Sequence, residues 1–295
     1  CDNLVSIAVT NDSTFAFING ALFEKPTKRI IAYLDKSTTS YVIPDGITEI
    51  GNNTFYDCPS LISISVPDSI TSIGDSAFAK CSGLTSISIP DGVTSIGEAA
   101  FNYCTSLTSI RIPDSVISIG GNPFVGCDSL ASIEFSGNSN FSFADGILFE
   151  ESTNSVIACL NSLVTSEYVV PNGVIEICSN AFRECENLTS ISIPDSVISI
   201  GEFAFYGCVN LTSISIPDSV TTIGESTFSG CVNLTSVFIP DSVNTIVYWA
   251  FRNSGIDEGK GVLHVVEGSY AHSYAIANGY SYDFATESVD MSWLN

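Results

Sequence analysis

A single pattern of 23 residues recurs along most of this chain, and nothing else in the sequence limits its fold as tightly. Residues 216–238, IPDSVTTIGESTFSGCVNLTSVF, show it. Each copy starts at a proline followed by Asp or Asn, Ser or Gly, and Val or Ile. Two mostly polar positions, Ile and Gly come next, and after a short variable stretch follow Phe, Cys, Leu, Ile and another aliphatic residue. Copies begin at Pro44, Pro67, Pro90 and Pro113, and again at Pro171, Pro194, Pro217 and Pro240. A fixed period in this range is the mark of a solenoid, in which each repeat packs on its neighbours and cannot bury its apolar face alone.

Within a copy the alternation is that of a half-buried strand. In residues 84–90, LTSISIP, Ile87 and Ile89 face the core while Ser86 and Ser88 face out. Proline ends the strand because it cannot donate the next ladder hydrogen bond, and Pro-Asp-Ser or Pro-Asp-Gly turns the chain. A second short extended piece follows, with Val93 and Ile96 inward and Gly97 at its end. Ala100-Phe101 is expected to open a short helical turn. The ladder Phe55, Phe78, Phe101, Phe124, Phe182, Phe205, Phe228 and Phe251 then supplies one ring per coil to the core.

Two stretches, 10–43 and 136–170, break the frame in matching ways. FAFINGALFEKPTKRIIAYL and FSFADGILFEESTNSVIACL each carry a hairpin signal, Asn19-Gly20 and Asp145-Gly146. The chain therefore reads as a double repeat, an island and four copies followed by an island and four more. Beyond the last copy the pattern dissolves. VLHVV at 262–266 reads as a strand, 269–278 as a short helix with Ser269 at its N-cap and Gly279 as its stop, and YSYDF as a last strand. The resulting division is repeats over 1–255 and a capping segment and tail over 256–295, the cap covering the last open core. Cys1-Asp2-Asn3-Leu4 matches the repeat's own Cys231-Val232-Asn233-Leu234, so Cys1 reads as a ladder residue of a chain cut from a longer protein.

The pattern Leu84-x-x-Ile87-x-Ile89-Pro90, then Ile96-Gly97, Ala100-Phe101 and Cys104, resembles the BspA-like leucine-rich repeat family. The islands and the GSYAHSYAIANGYSYDF cap are also similar to elements seen there, so the likeness covers nearly the whole chain. Departures are Cys178 and Val247 in place of the repeat glycine, Asn172 in place of Asp, and Ser254 in place of the ladder Cys; they read as a degraded last coil without functional consequence. The resemblance implies a leucine-rich-repeat solenoid with a parallel sheet on one face, short helical turns or second short strands on the other, hairpin islands and an α/β cap. It further implies a non-enzymatic cell-surface or secreted protein of bacteria or parasitic protists. The implied role is adhesion to extracellular matrix or cell-surface proteins, with no catalytic residues to carry over.

Charge and chemistry point the same way. Acidic residues outnumber basic ones 32 to 9, which makes nucleic acid and anionic membrane surfaces poor partners. No run of about 18 apolar residues, the length a helix needs to cross a bilayer, occurs in the sequence. Only two histidines exist, His264 and His272, with no H-E-x-x-H, no phosphate-binding glycine motif and no visible Ser–His or Cys–His pattern. No cofactor and no metal centre are expected. The Asp column at the turns (Asp45, Asp68, Asp91, Asp114, Asp195, Asp218 and Asp241) reads as turn capping, with divalent-cation binding as the sharper alternative. Cys58, Cys81, Cys104, Cys127, Cys185, Cys208 and Cys231 share one ladder slot with Cys1 and read as free buried thiols. Strand-like stacking also leaves disulfides sterically open, and Cys159 and Cys178 stay unassigned. N-x-S/T triplets at Asn11, Asn52, Asn140, Asn187, Asn210 and Asn233 matter as glycan acceptors only in a chain secreted by a eukaryote.

The outward, concave sheet face is nearly all serine: Ser63/Ser65, Ser86/Ser88, Ser109/Arg111, Ser132/Glu134, Ser190/Ser192, Ser213/Ser215 and Ser236/Phe238. Arg and aromatic side chains make binding anchors, so Arg111, Glu134 and Phe238 are the candidate binding residues. Arg111 and Glu134 are expected to be neighbours that pair, and Phe238 to be an exposed ring without a structural role. The competing reading is a structural spacer or filament-forming unit that associates with itself.

Overall fold

Each 23-residue copy forms one coil with two short strands, and corresponding strands of most successive coils pair in parallel. The computed structural model describes residues 4, 6–10 and 14–285, so Cys1, Asn11 and the tail beyond Ala285 lie outside the described residues. The chain divides into two compact units, Cys1–Ser142 and Phe143–Asn295, with the boundary inside the first strand of the second island.

In the first unit the Leu-x-x-Ile segments give strands Ser63–Ser65, Ile87–Ser88, Ser109–Ile112 and Ser132–Phe135, and the end of the first island gives the equivalent strand Ser40–Val42. Their register follows the repeat, Tyr41 opposite Ile64, Ile87 opposite Ile110 and Ile110 opposite Ile133. Alternation places each Ile inward and each Ser outward: Ile87 and Ile89 are buried, and Ser86 and Ser88 are exposed. The second strands, Glu49–Ile50, Ser72–Ile73, Ser95–Ile96 and Ser118–Ile119, continue the island strands Phe15–Ile18, Ala21–Glu24 and Arg29–Tyr33 in one seven-stranded sheet. The island strands pair antiparallel, with Asn19 and Gly20 at φ 50° and 79° in the hairpin turn.

The second unit repeats the plan. Strands Glu167–Val169, Ser190–Ser192, Ser213–Ser215 and Ser236–Ile239 continue into two cap strands, Val262–Val265 and Tyr282–Phe284, in a six-stranded parallel sheet. The cap helix Tyr270–Asn278 has Ser269 as N-cap, its side chain accepting from the His272 amide, and ends at Gly279 with φ 71°. Ala271 and Ala275 are its buried residues.

The expected short helical turns are absent. Around the ladder Phe residues the chain instead makes tight turns in which residues with positive φ flank the ring, such as Ser76 and Lys80 around Phe78 and Ala99 and Tyr103 around Phe101; at Phe124 only Gly126, on one side, has positive φ. This alternation aims the amides of Ser76, Phe78 and Lys80 at Glu98, Ala100 and Asn102 of the next coil, at 2.8, 2.8 and 2.7 Å. The turn side is thus a third hydrogen-bonded ladder, which a helical turn with inward bonds could not provide. Rings stack beneath it: Phe55 to Phe78 at 5.2 Å, Phe78 to Phe101 at 5.5 Å, and Phe182 to Phe205 at 5.2 Å. Gly97 is required by proximity, since a Cβ there would stand 2.5 Å from the Asp75 amide nitrogen.

The cysteines obey the ladder with one exception. Cys81, Cys104, Cys127, Cys208 and Cys231 are free, buried, and donate to the carbonyls of Phe55, Phe78, Phe101, Phe182 and Phe205 one coil back at 3.0–3.2 Å. Cys185 departs from the free-thiol expectation by forming a disulfide with Cys159 across a Cα separation of 6.8 Å. The reason is positional. Cys159 occupies the slot of a ladder Phe, its amide bonding Ala181 as that of Phe182 bonds Ala204. A sulfur there meets the next coil's cysteine where a ring would not, within disulfide reach. In the first island the same slot holds Tyr33, packed on Tyr41 and Phe55 at 4.5 and 5.2 Å.

Phe101→Ala is expected to destabilise the fold by about 3–5 kcal/mol in urea unfolding; a loss below about 1 kcal/mol would show that the ring does not carry the core. Burial pushes the Cys127 and Cys178 thiols up to about 12, whereas in the unfolded chain they ionise near 9.0. Their stabilisation is therefore full below pH 9 and is lost as pH climbs from 9 towards 12. A urea midpoint that stays constant over that window would contradict this burial.

Candidate functional site

The strand face is built as the alternation requires, and its three irregular residues behave differently. Arg111 and Glu134 belong to the first unit and Phe238 to the second. Arg111 lies opposite Glu134 in the parallel register, so they are neighbours as expected. The expected pair does not form: the guanidinium reaches back to Asp91, just past the end of the preceding strand, at 3.3 Å. Both side chains are largely exposed, 48% and 80%, so the bridge adds little stability.

Phe238 does have a structural partner, against expectation. Its ring stacks on His264 of the adjacent cap strand at 4.1 Å and 16°. The register that sets Phe238 opposite His264 could not be read from sequence, because the cap strand does not carry the repeat pattern. Beside Phe238 a shallow cleft of about 190 Å³ runs over Ser190, Ser192, Ser213 and Ser215, with Asp195 and Asp218 at its rim.

The same register assembles a polar chain that the sequence did not reveal. Ser236 Oγ lies 2.9 Å from Nε2 of His264, and Nδ1 of His264 lies 2.6 Å from Asp283 Oδ1. The three residues come from three neighbouring strands, 28 and 19 positions apart in sequence.

Sequence reasoning also missed an aromatic cleft on the turn side of the last coil. Where copies such as those at Gly74-Asp75, Gly97-Glu98 and Gly224-Glu225 have glycine and an acidic residue, this one reads Val247-Tyr248-Trp249. Tyr248 is 81% and Trp249 56% exposed, and Trp249 holds φ 60°. With Arg252, Asp257, Tyr270, Tyr274, Asn278 and Tyr280 they line a cleft of about 640 Å³. The Arg252 guanidinium lies over the Trp249 ring at 5.3 Å. Tyr280 donates its hydroxyl to Asp257 at 3.2 Å, and burial followed by that carboxylate raises the Tyr280 pKa. The departure at Val247 was legible as a broken repeat; what it exposes was not.

Several of the remaining sequence candidates have structural uses. Nδ2 of Asn187, Asn210 and Asn233 donates to carbonyls of the preceding coil at 2.7–2.9 Å. At the proline turns it is the serine that bridges coils, as Ser115 Oγ does to Val93 O at 2.6 Å. Among the described residues no three His, Cys, Asp or Glu come together as a metal site.

The model of the BspA-type leucine-rich repeat region matches residues 30–155 and 158–262 with six copies. The chain belongs to this family. Among solved structures, a leucine-rich repeat protein from Eubacterium ventriosum is similar at 22% identity and TM-score 0.59, covering 76% of this chain and 82% of its own. A leucine-rich cell surface protein from Faecalibacterium prausnitzii shares 23% identity over 96% of this chain and 97% of its own, with TM-score 0.56. The pneumococcal vaccine antigen PcpA shares 17% identity over 93% and 99%, with TM-score 0.58. At these identities the likeness is one of fold. No curated protein matches the chain. As a BspA-type repeat unit, the chain should show its irregular residues most clearly against its own consensus, and Phe238→Ser tests one. Losing the stack on His264 should cost about 0.5–1.5 kcal/mol beyond the area exposed; an unchanged urea midpoint would return Phe238 to the status of a free surface ring.

Proposed function

We propose that this protein is a cell-surface or secreted repeat protein that binds other proteins in adhesion, with the Tyr248–Trp249–Arg252 cleft as its main contact. The observation that carries this reading is the exposure of Tyr248 and Trp249, 81% and 56%, beside Arg252. The positive φ of Trp249 belongs to the coil, being shared by the residue two before the ladder Phe in other copies, such as Ser76, Ala99 and Ser226. What sets this coil apart is that large rings stand there with little burial. Trp, Tyr and Arg are also the side chains that dominate binding hot spots, the two rings because they bury large areas with few rotors and Arg through its planar fork of donors. The family match and the surface proteins of the same fold support the extracellular setting.

Arg111, Glu134 and Phe238 become secondary contacts, since Arg111 is engaged by Asp91 and Phe238 by His264. The spacer reading keeps one specific support, the serine monotony of the strand face. Capture of matrix and cell-surface proteins on the immobilised chain separates the two. Trp249→Ala is expected to weaken a captured partner at least tenfold without lowering stability. Unchanged affinity would move the site elsewhere, and no captured partner would favour the spacer.

A further inference from the structure

We propose that Ser236, His264 and Asp283 form an activated serine that accepts acyl groups from small activated esters. The inference rests on the hydrogen-bond chain Ser236 Oγ to His264 Nε2 at 2.9 Å and His264 Nδ1 to Asp283 Oδ1 at 2.6 Å. Nucleophile, base and orienting carboxylate are here in the order and at the distances of a nucleophilic triad. An ionised carboxylate is acceptor-only, so with Asp283 ionised the neutral His264 carries its proton on Nδ1 and presents the Nε2 lone pair to the Ser236 hydroxyl. The ring is further fixed by its stack on Phe238 at 4.1 Å.

A purely structural role does not account for this set. The strand Tyr282–Phe284 is already joined to Val262–Val265 by parallel pairing at Leu263, His264 and Val265. The three polar side chains also project from the outward side of the sheet, where water would satisfy each of them at little cost. The imidazole is 21% and the Asp283 side chain 59% exposed, so the group is reachable from solvent. The cleft of about 190 Å³ is lined by Phe238, two residues from Ser236 on the same strand face, and is the substrate position assigned in this proposal, although Ser236 itself does not line it.

The chemistry balances within these groups and water. Ser236 Oγ attacks the ester carbonyl carbon while its proton passes to Nε2. The tetrahedral intermediate collapses with cleavage of the bond to the alcohol, which leaves with the proton from Nε2. Water, deprotonated by the same nitrogen, then attacks the acyl-serine carbonyl, releasing the acid and restoring the hydroxyl. Ser236 sits in an interior strand whose amides serve the sheet, so the oxyanion depends on side-chain donors such as Ser213, its register partner. That arrangement suits good leaving groups such as aryl esters and thioesters, which need less oxyanion stabilisation.

The serine column supplies its own control, because Ser192 and Ser215 share the face and have no histidine. A fluorophosphonate probe applied to the native chain, followed by peptide mapping, is expected to place its adduct on Ser236. Ser236→Ala should remove it, and His264→Gln should slow labelling at least about 100-fold, with p-nitrophenyl acetate hydrolysis falling in parallel. An adduct on other serines, or labelling no faster than in heat-denatured protein, would overturn the proposal. Mapping on the unaltered chain decides this even where a variant fails to fold.

Discussion

The fold depends on one spacing held on three sides of every coil at once. Parallel strands fix neighbouring coils roughly 4.8 Å apart, and the turn side must keep that distance although no strand runs there. It does so through amides aimed across the gap, as from Phe78 to Ala100 at 2.8 Å and Phe205 to Thr227 at 3.0 Å. The conformation that aims them places ordinary residues such as Ser76, Lys80 and Tyr103 at positive φ. Each such residue costs about 1–2 kcal/mol, so the strain persists only where the bonds and the ring stack over-determine it. Gly97 belongs to the same constraint, since the coils approach too closely there for a Cβ.

What obeys the period was legible in the sequence, and what breaks it was legible only as a break. The strand alternation, the Phe ladder, the Asn19-Gly20 and Asp145-Gly146 hairpins and the Ser269 to Gly279 helix rest on local rules, and each appears in the structure. The turn conformation was missed because helix and alternating turn place Phe and Cys at the same sequence intervals; the partner of each amide decides between them. Cys159 was opaque because its slot is defined by the Phe ladder and not by the Cys ladder. Aligning the islands sets it on Tyr33, and that signal was available.

The candidate sites follow the same logic. Arg111 and Glu134 were correctly placed side by side, because register within the repeat is fixed by the period. The pairing with Asp91 depends on how far a flexible side chain reaches, which spacing does not encode. Phe238, Ser236, His264 and Asp283 come together only because the cap continues the sheet with two further parallel strands. A monotonous solenoid gives every coil the same surface, so recognition and chemistry have to reside where the monotony fails. In the second unit the last repeat and the cap are such a place, with the Trp249 cleft on the turn side and the serine–histidine–aspartate chain on the strand face.

The claim that turns and strands hold the coils together equally can be tested residue by residue through native-state amide hydrogen exchange. Amides of Ser76, Phe78 and Lys80 lie in turns, yet each donates to the next coil. The account predicts that they exchange as slowly as strand amides such as that of Ile110, opening only with the loss of the coil stack. Exchange at the rate of exposed turns, with the strand amides protected, would contradict it and leave the solenoid held by its sheets alone.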